Sequence, residues 1–410
     1  MAKKSHLKLL NEALGLCSLC SLRKIPFNDP GSRRTFGFGT DSLNIIGDDN
    51  LRSFDDIANK LLQSNEDIDN TLSKKKLTNL LIPVLRDKKK AGVDFTQADC
   101  DHFWKKVTSI PAVDFRVLRE LFGASISMQD EPLLISCFKI YDWKNHKNLI
   151  VGPELKDDSL IWRNSVHGLL IECTVRARDE EKARELADTL FSRFELIIWF
   201  MIGYRTDRFD VRILNYAGSE LTHYYMFTRD NFHESHGRAG PTEALPLDDV
   251  FFSKPSPEFT RLLAMINHQN NALERKLLRC VEWIGQSLMD QNPASAFIKA
   301  ATALEVLFSE TEKGLITPSI MAQISESCAL LLGTDPKSRM EIEKYVKRLY
   351  GIRSSVVHFG EDTVPQDELN LLIHIAKAVA LTLLSDAMHG AIQSVKELHD
   401  HLKVKKYSSK

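Results

Sequence analysis

Beyond Glu258 the chain offers little except helix. Apolar residues recur at three- and four-residue spacing through EFTRLLAMINHQNNALERKLLRCVEWIGQSLMD (258–290), PASAFIKAATALEVLFSE (293–310), SIMAQISESCALLLG (319–333) and SRMEIEKYVKRLYGIRSSVVHF (338–359). The same spacing resumes at about Pro365 and runs through DELNLLIHIAKAVALTLLSDAMHGAIQSVKELHDHL (367–402). A helix with one apolar stripe must bury it against another element, and connections this short turn each helix back onto the one before. The spacing therefore predicts five long helices in an all-α antiparallel bundle over 254–404, followed by a frayed basic tail at 405–410. KPSPEF (254–259) marks the entry: two prolines break whatever precedes them, and Ser256 followed by Pro257 opens a helix.

Between 131 and 253 the period changes. LLISCFKI, NLIVG, HGLLIECTVRA, FDVRILNYA and LTHYYMFTR are short and rich in β-branched and aromatic residues, as strands are. One helix interrupts them from Asp179 to about Gly203, amphipathic at first and then nearly all apolar, as a helix packed across a sheet would be. The N-terminal region is thus expected to be α+β: a mainly helical segment at 1–130, then a mixed or antiparallel sheet with a covering helix at 131–253, suited to a sensor or specificity module. In the first segment LKLLNEALGL and SFDDIANKLLQS read as helices, the second N-capped by Ser53, with the Gly- and Pro-rich FNDPGSRRTFGFGTDS as loop between them. FGFGTD lacks the GK[ST] and preceding strand of a phosphate loop.

Charge and cysteine content remove several classes of function. Among 410 residues, 54 Lys and Arg against 55 Asp and Glu leave a formal charge of −1, so no chain-wide field attracts nucleic acid or membrane, and any polyanion site must be local. No apolar run reaches the roughly 18 residues of a membrane span, and the first 20 residues lack the form of a secretion signal, so the expected location is cytoplasmic. Seven cysteines form no disulfide framework, and the single CxxC (Cys17, Cys20) has no second ligand pair. No cofactor or metal is expected.

Local basic features are few. Arg205, Arg208 and Arg212 form the best cluster, able to contact an RNA backbone or equally to pair with nearby carboxylates. The lysine runs 74–76 and 88–90 read as solvated helix faces or ends. His233 and His236 fall in a turn-rich loop, NFHESHGRAGPTEALPLDD. Three Arg residues are followed by a His after four to six intervening positions: Arg229 with His236, Arg261 with His268, and Arg353 with His358. With 23 Arg and 13 His in this length, chance supplies about two such pairs, so setting must decide between them. The first spans the loop. The second reads as one ordinary helical face.

The third is different. Residues five apart lie about 140° apart on a straight helix, but Ser354, Ser355, Val356 and Val357 are mediocre helix formers, and Gly360 supplies the left-handed residue that ends helices. A distorted last turn would let Arg353 reach the His358 imidazole. Ser354, four residues before His358, shares its face, and Glu305 in the preceding ALEVLF is a charge partner for Arg353. The bland alternative is a helix-capping His beside a salt-bridged Arg.

ALEVLF (303–308), followed after one helix by RLYGIRSSVVHFG (348–360), resembles the HEPN superfamily, in particular its Apea-like branch, over about residues 258–400. The family hallmark of Arg, four to six residues and His falls on Arg353 and His358. The polar residue after the Arg, commonly Asn, Asp or His, is here Ser354, and the acidic residue of the second helix falls on Glu305. The resemblance implies a metal-independent endoribonuclease whose site is completed when two copies face each other across a two-fold axis. It implies RNA as substrate, tRNA or mRNA included, a homodimer through the C-terminal bundle, and a setting in bacterial antiphage defence or as a toxin, with a phage-derived trigger or an antitoxin-like partner. Such chemistry uses imidazole as base or acid towards the 2′-hydroxyl and the leaving 5′-oxygen, and guanidinium to hold phosphate oxygens. Two other classes remain: a noncatalytic bundle binding a nucleotide or a protein as a regulatory dimer, which the near-neutral charge favours, and a metal-dependent nuclease using His233 and His236.

Overall fold

The computed structural model describes residues 4–19, 33–36, 42–127, 130–150, 168–206, 208–214, 221–227, 232–238, 243–309, 320–385, 387–388 and 390–407. The fold is mixed α+β, with all described strands before residue 247 and only helices beyond it. Two compact units emerge, Met1–Val117 with Thr174–Ala187, and Leu118–Cys173 with Asp188–Lys410. This grouping differs from segments at 1–130, 131–253 and 254–404, because sheet strands and C-terminal helices share the second unit.

The first unit contains α1 (Lys4–Leu16), β1 (Ser18–Leu19), β2 (Arg33–Phe36), β3 (Leu43–Ile46), α2 (Asp48–Gln63), α3 (Glu66–Thr71), α4 (Lys74–Ala91) and α5 (Gln97–Thr108). β3 pairs antiparallel with β1 and β2, and the core gathers Leu10, Phe54, Leu61, Leu81 and Phe103 from the four longer helices. Ser53 does not cap α2. The helix starts five residues earlier, behind Gly47, where Asp48 and Asp49 complement the positive end of the helix dipole. The two lysine runs are the two ends of α4. Cys17 is buried, its Sγ donates to the Ala13 carbonyl at 3.2 Å, and burial pushes its thiol up to about 11. Its CxxC partner Cys20, and FGFGTD beyond Phe36, lie outside the described residues.

β4 (Val113–Leu121) leads into the second unit, which continues with β5 (Ala124–Ser125), β6 (Leu133–Ile135), β7 (Phe138–Asp142) and α6 (Trp143–Ile150). β8 (Leu169–Ala177) and α7 (Glu180–Ile202) complete a four-stranded sheet, ordered β4-β8-β7-β6, and the expected long helix. The expected strand NLIVG is corrected. Its first residues belong to α6, whose first turn is capped by Asp142 accepting from the Lys144 amide at 3.0 Å, and residues 151–152 are not described. FDVRILNYA is corrected too: its described part makes only an isolated bridge, Phe122 with Arg212.

β9 (Leu221–Phe227) and β10 (Phe232–Arg238) pair antiparallel from Phe232 opposite Phe227 to Arg238 opposite Leu221. The residues around His233 and His236, expected as loop, are therefore strand: pairing with the β-prone LTHYYMF overrides their weak intrinsic preference. β11 (Leu245–Pro246) and α8 (Val250–Ser253) precede the C-terminal helices.

Those helices are α9 (Pro257–Met265), α10 (Ala272–Met289), α11 (Pro293–Phe308), α12 (Ile320–Leu332), α13 (Pro336–Phe359), α14 (Gln366–Leu384) and α15 (Val395–Tyr407). Ser256 caps α9, with Pro257 in its first turn. The first expected helix is broken in two, since Asn271 caps α10 by accepting from the Glu274 amide at 2.9 Å while the Glu274 carboxylate accepts from the Asn270 amide at 2.5 Å. Local side-chain hydrogen bonds outcompete the helical ladder there. Arg261 and His268 consequently share no helix. Arg261 instead donates to the Leu384 carbonyl at 2.5 Å. The fifth expected helix is likewise two, α14 and α15, and α15 runs on to Tyr407 where a frayed tail was expected from 405.

The charges in the apolar half of α7 are both satisfied. Glu195, 5 % exposed, accepts from the Ile213 amide and from the Leu214 amide at 2.7 Å. Arg193 donates to the Ile266 carbonyl at 2.8 Å and pairs with Glu282 at 3.3 Å. Gly285 lets α10 approach α7 closely, because a Cβ there would run into the Leu196 carbonyl.

Candidate functional site

α13 opens with a reciprocal cap, Asp335 with Ser338, followed by Pro336, and closes at Gly360, whose φ of 68° is the left-handed conformation expected of it. Its inward face is set by Val346, Leu349 and Tyr350, all buried. The Tyr350 hydroxyl donates to the Ala301 carbonyl of α11 at 3.2 Å, and burial raises its ionisation well above the usual phenol range. One turn along both helices, Arg353 meets Glu305.

That contact is an ion pair. Arg353 Nε lies 3.2 Å from Glu305 Oε1, and Nη2 donates to Oε2 at 3.4 Å. The Nε–H is not aimed at its neighbour, so it is buried without a hydrogen-bond acceptor. The pair is therefore good in distance and incomplete in hydrogen bonding. Burial pushes the Glu305 carboxyl above its ordinary range, and Arg353 opposes that shift.

His358 stands elsewhere. α13 stays helical through Phe359, so the distorted last turn expected of the Ser-Ser-Val-Val run does not occur. Arg353 turns towards α11 and His358 lies about 140° round the helix from it, exposed, with no hydrogen-bond or ion-pair partner among the described residues. Ser354 is exposed on the His358 side and makes no hydrogen bond to it. Beside them Val357 and Phe359 are 47 % and 79 % exposed, an apolar margin around an unpaired imidazole. One chain thus supplies a held cation and a free imidazole that do not meet.

The arginine cluster resolves unevenly. Arg208 Nε lies 2.7 Å from Glu243 and Arg212 Nε 2.5 Å from Asp210, so both follow the bland reading of paired charges. Arg205 does not. Its Nη2 donates to the carbonyls of Asp290 at 2.6 Å and Gln291 at 3.2 Å, just past the end of α10, and its Nη1 donates to Gln366 Oε1 at 3.2 Å. It satisfies the helix end and meets no carboxylate among the described residues.

The chain matches no family model, no curated protein and no solved structure.

Among the described residues no group of three or more His, Cys, Asp and Glu is placed to hold a metal ion, and no helix is long and apolar enough to cross a membrane. The side chains of His233 and His236, and Arg229 altogether, lie outside the description. Sequence reasoning missed the surroundings of Arg205: a cavity of about 670 Å³ that also draws on Tyr204, Gln291, Asn370 and His374. No linear signal marks it, because its residues come from three helix ends far apart in the chain.

Proposed function

We propose that this protein is a HEPN-type, metal-independent endoribonuclease, acting as a homodimer in which Arg353 and His358 of two copies line one cleft. The observation that carries this reading is the divergence of the two side chains on an unbroken helix. Arg353 is held by Glu305, while His358 is exposed, without a partner among the described residues, and bordered by exposed Val357 and Phe359. A two-fold arrangement of α13 ends would bury that margin and converge what one chain keeps apart. In such a cleft the imidazole takes the 2′-hydroxyl proton or protonates the leaving 5′-oxygen, and Arg353 offers its guanidinium to the phosphate. Glu305 is a positioning residue, and exposed Ser354, four residues before His358, is available to contact substrate. The setting that goes with this activity is bacterial antiphage defence or a toxin, released by a phage-derived trigger or checked by an antitoxin-like partner.

The deciding experiment incubates the purified protein with total RNA in the presence of chelator and identifies the new ends. Cleavage leaving 2′,3′-cyclic phosphate supports the reading, and RNA left intact by a dimeric protein refutes it as an intrinsic activity.

A second reading, a noncatalytic regulatory dimer binding a nucleotide or a protein, is favoured by the Arg353–Glu305 pair, since a guanidinium already sharing its charge with a carboxylate is a weaker phosphate ligand. Intact RNA together with a dimer broken by changes at Phe359 would support it.

A further inference from the structure

Arg205 sits at the meeting point of three helix ends. α7 has just finished, Asp290 and Gln291 follow α10, and Gln366 begins α14. These ends enclose the cavity of about 670 Å³, a volume typical of a site that takes one small organic ligand. Its floor is apolar, from Leu288 and Ile373, each 3 % exposed. Its rim is polar and rich in amides. Gln366 is occupied, accepting from Arg205 and donating to Asn370 Oδ1 at 2.9 Å. Asn370 Nδ2, the Gln291 side chain and the His374 ring make no hydrogen bond to the described residues. Tyr204, 55 % exposed, supplies an aromatic face at the opening.

Electrostatics narrow the ligand further. The acid lining this cavity, Asp290, has its carboxylate taken by Lys299, by the Ser295 hydroxyl and by the Asn292 amide. Among the described residues Arg205 is bound to neutral acceptors. The cavity therefore offers a guanidinium that meets no carboxylate among the described residues, beside amide and imidazole groups that make no hydrogen bond to them and one accessible ring. A phosphate needs the first, the edge of a base the second, and the face of a base the third.

We infer that this cavity binds a nucleotide unit, with the base over Tyr204, its edge read by Gln291 and Asn370, and its phosphate drawn by Arg205. The unit is one residue of single-stranded RNA or a free mononucleotide. The RNA source rests on the nuclease reading above and deepens it. Gln366 at the cavity follows His358 by eight residues, which places their backbones within about 28 Å, a span that a short single strand covers.

The test uses the full-length protein carrying His358→Ala, so that bound RNA is not cut. Short fluorescein-labelled homopolymeric oligoribonucleotides and each of the four nucleoside monophosphates are titrated into it, with and without Tyr204→Ala or Asn370→Ala. Both positions are solvent-exposed, so an unchanged melting temperature is expected for each variant. Roughly tenfold weaker oligonucleotide binding in each variant supports the inference with RNA as the source. Monophosphate binding that both variants weaken, without oligonucleotide binding, supports the same site with free nucleotide as its ligand. Affinities that neither variant changes, or no binding of either probe, overturn it. RNA cleavage by the protein with His358 intact is read separately, so the nuclease reading stands or falls on its own result.

Discussion

Arg353 on α13 reaches across to Glu305 on α11, with Nε 3.2 Å from Oε1, while its own helix carries His358 away from that contact. The side chains of the pair are 30 % and 24 % exposed, so it is screened less than a surface pair and desolvated less than a buried one. Replacing either partner leaves the other half-buried without its counter-charge. Arg353→Ala and Glu305→Gln are each expected to cost about 1–2 kcal/mol, and the double variant less than their sum. Urea unfolding of the four proteins measures the coupling. Strict additivity would show that the two side chains do not interact in solution.

His358→Ala should separate chemistry from folding. The imidazole is exposed and has no partner among the described residues, so its loss is expected to change stability by no more than about 0.5 kcal/mol. Cleavage in chelator should fall by at least about a hundredfold, as for the removal of a general acid or base. Arg353→Ala should fall comparably once its stability loss is allowed for. Full cleavage by His358→Ala removes His358 from the mechanism.

In the proposed dimer, the exposed apolar margin of α13 is the contact that joins the two copies. Phe359→Asp, at a side chain 79 % exposed in one chain, should shift the protein from dimer to monomer mass in light scattering while leaving its circular dichroism unchanged. Cleavage should disappear with the dimer. A monomeric variant that still cuts RNA would show that one chain completes the site.

Glu195 makes a prediction about pH. Burial raises its carboxyl above the ordinary range, and the Ile213 and Leu214 amides and Arg212 only partly oppose that. An acid whose folded pKa lies above its unfolded one binds the proton more tightly when folded. Its contribution to stability is therefore fully present below the unfolded value near 4.3 and is lost as pH rises through the folded value. Relative to Glu195→Gln, the wild-type protein should lose melting temperature across that interval on going upward in pH. A difference between the two proteins that stays constant with pH would contradict the shift.

Much of this protein is legible along the chain because short-range rules wrote it. Ser256 with Pro257 opens α9, Gly360 closes α13 in the left-handed conformation, and the apolar spacing of α11, α12 and α13 puts those helices where the periodicity says. What linear reading missed are places where a specific pairing overrides the intrinsic preference of the residues. Residues 232–238 are strand because β9 pairs with them, and α9 and α10 are separate helices because Asn270, Asn271 and Glu274 bond one another in place of the helical ladder. The candidate site divides the same way. Residue types, the setting at a weakening helix end and the resemblance to a family singled out Arg353, His358 and Glu305, where Arg-to-His spacing alone did not. Only tertiary structure decided that the last turn of α13 keeps His358 away from Arg353, that His358 has no partner among the described residues, and that Arg205, unlike Arg208 and Arg212, meets no carboxylate among them. Each of those outcomes turns on which helix lies opposite, and a chain's own order does not contain that information locally.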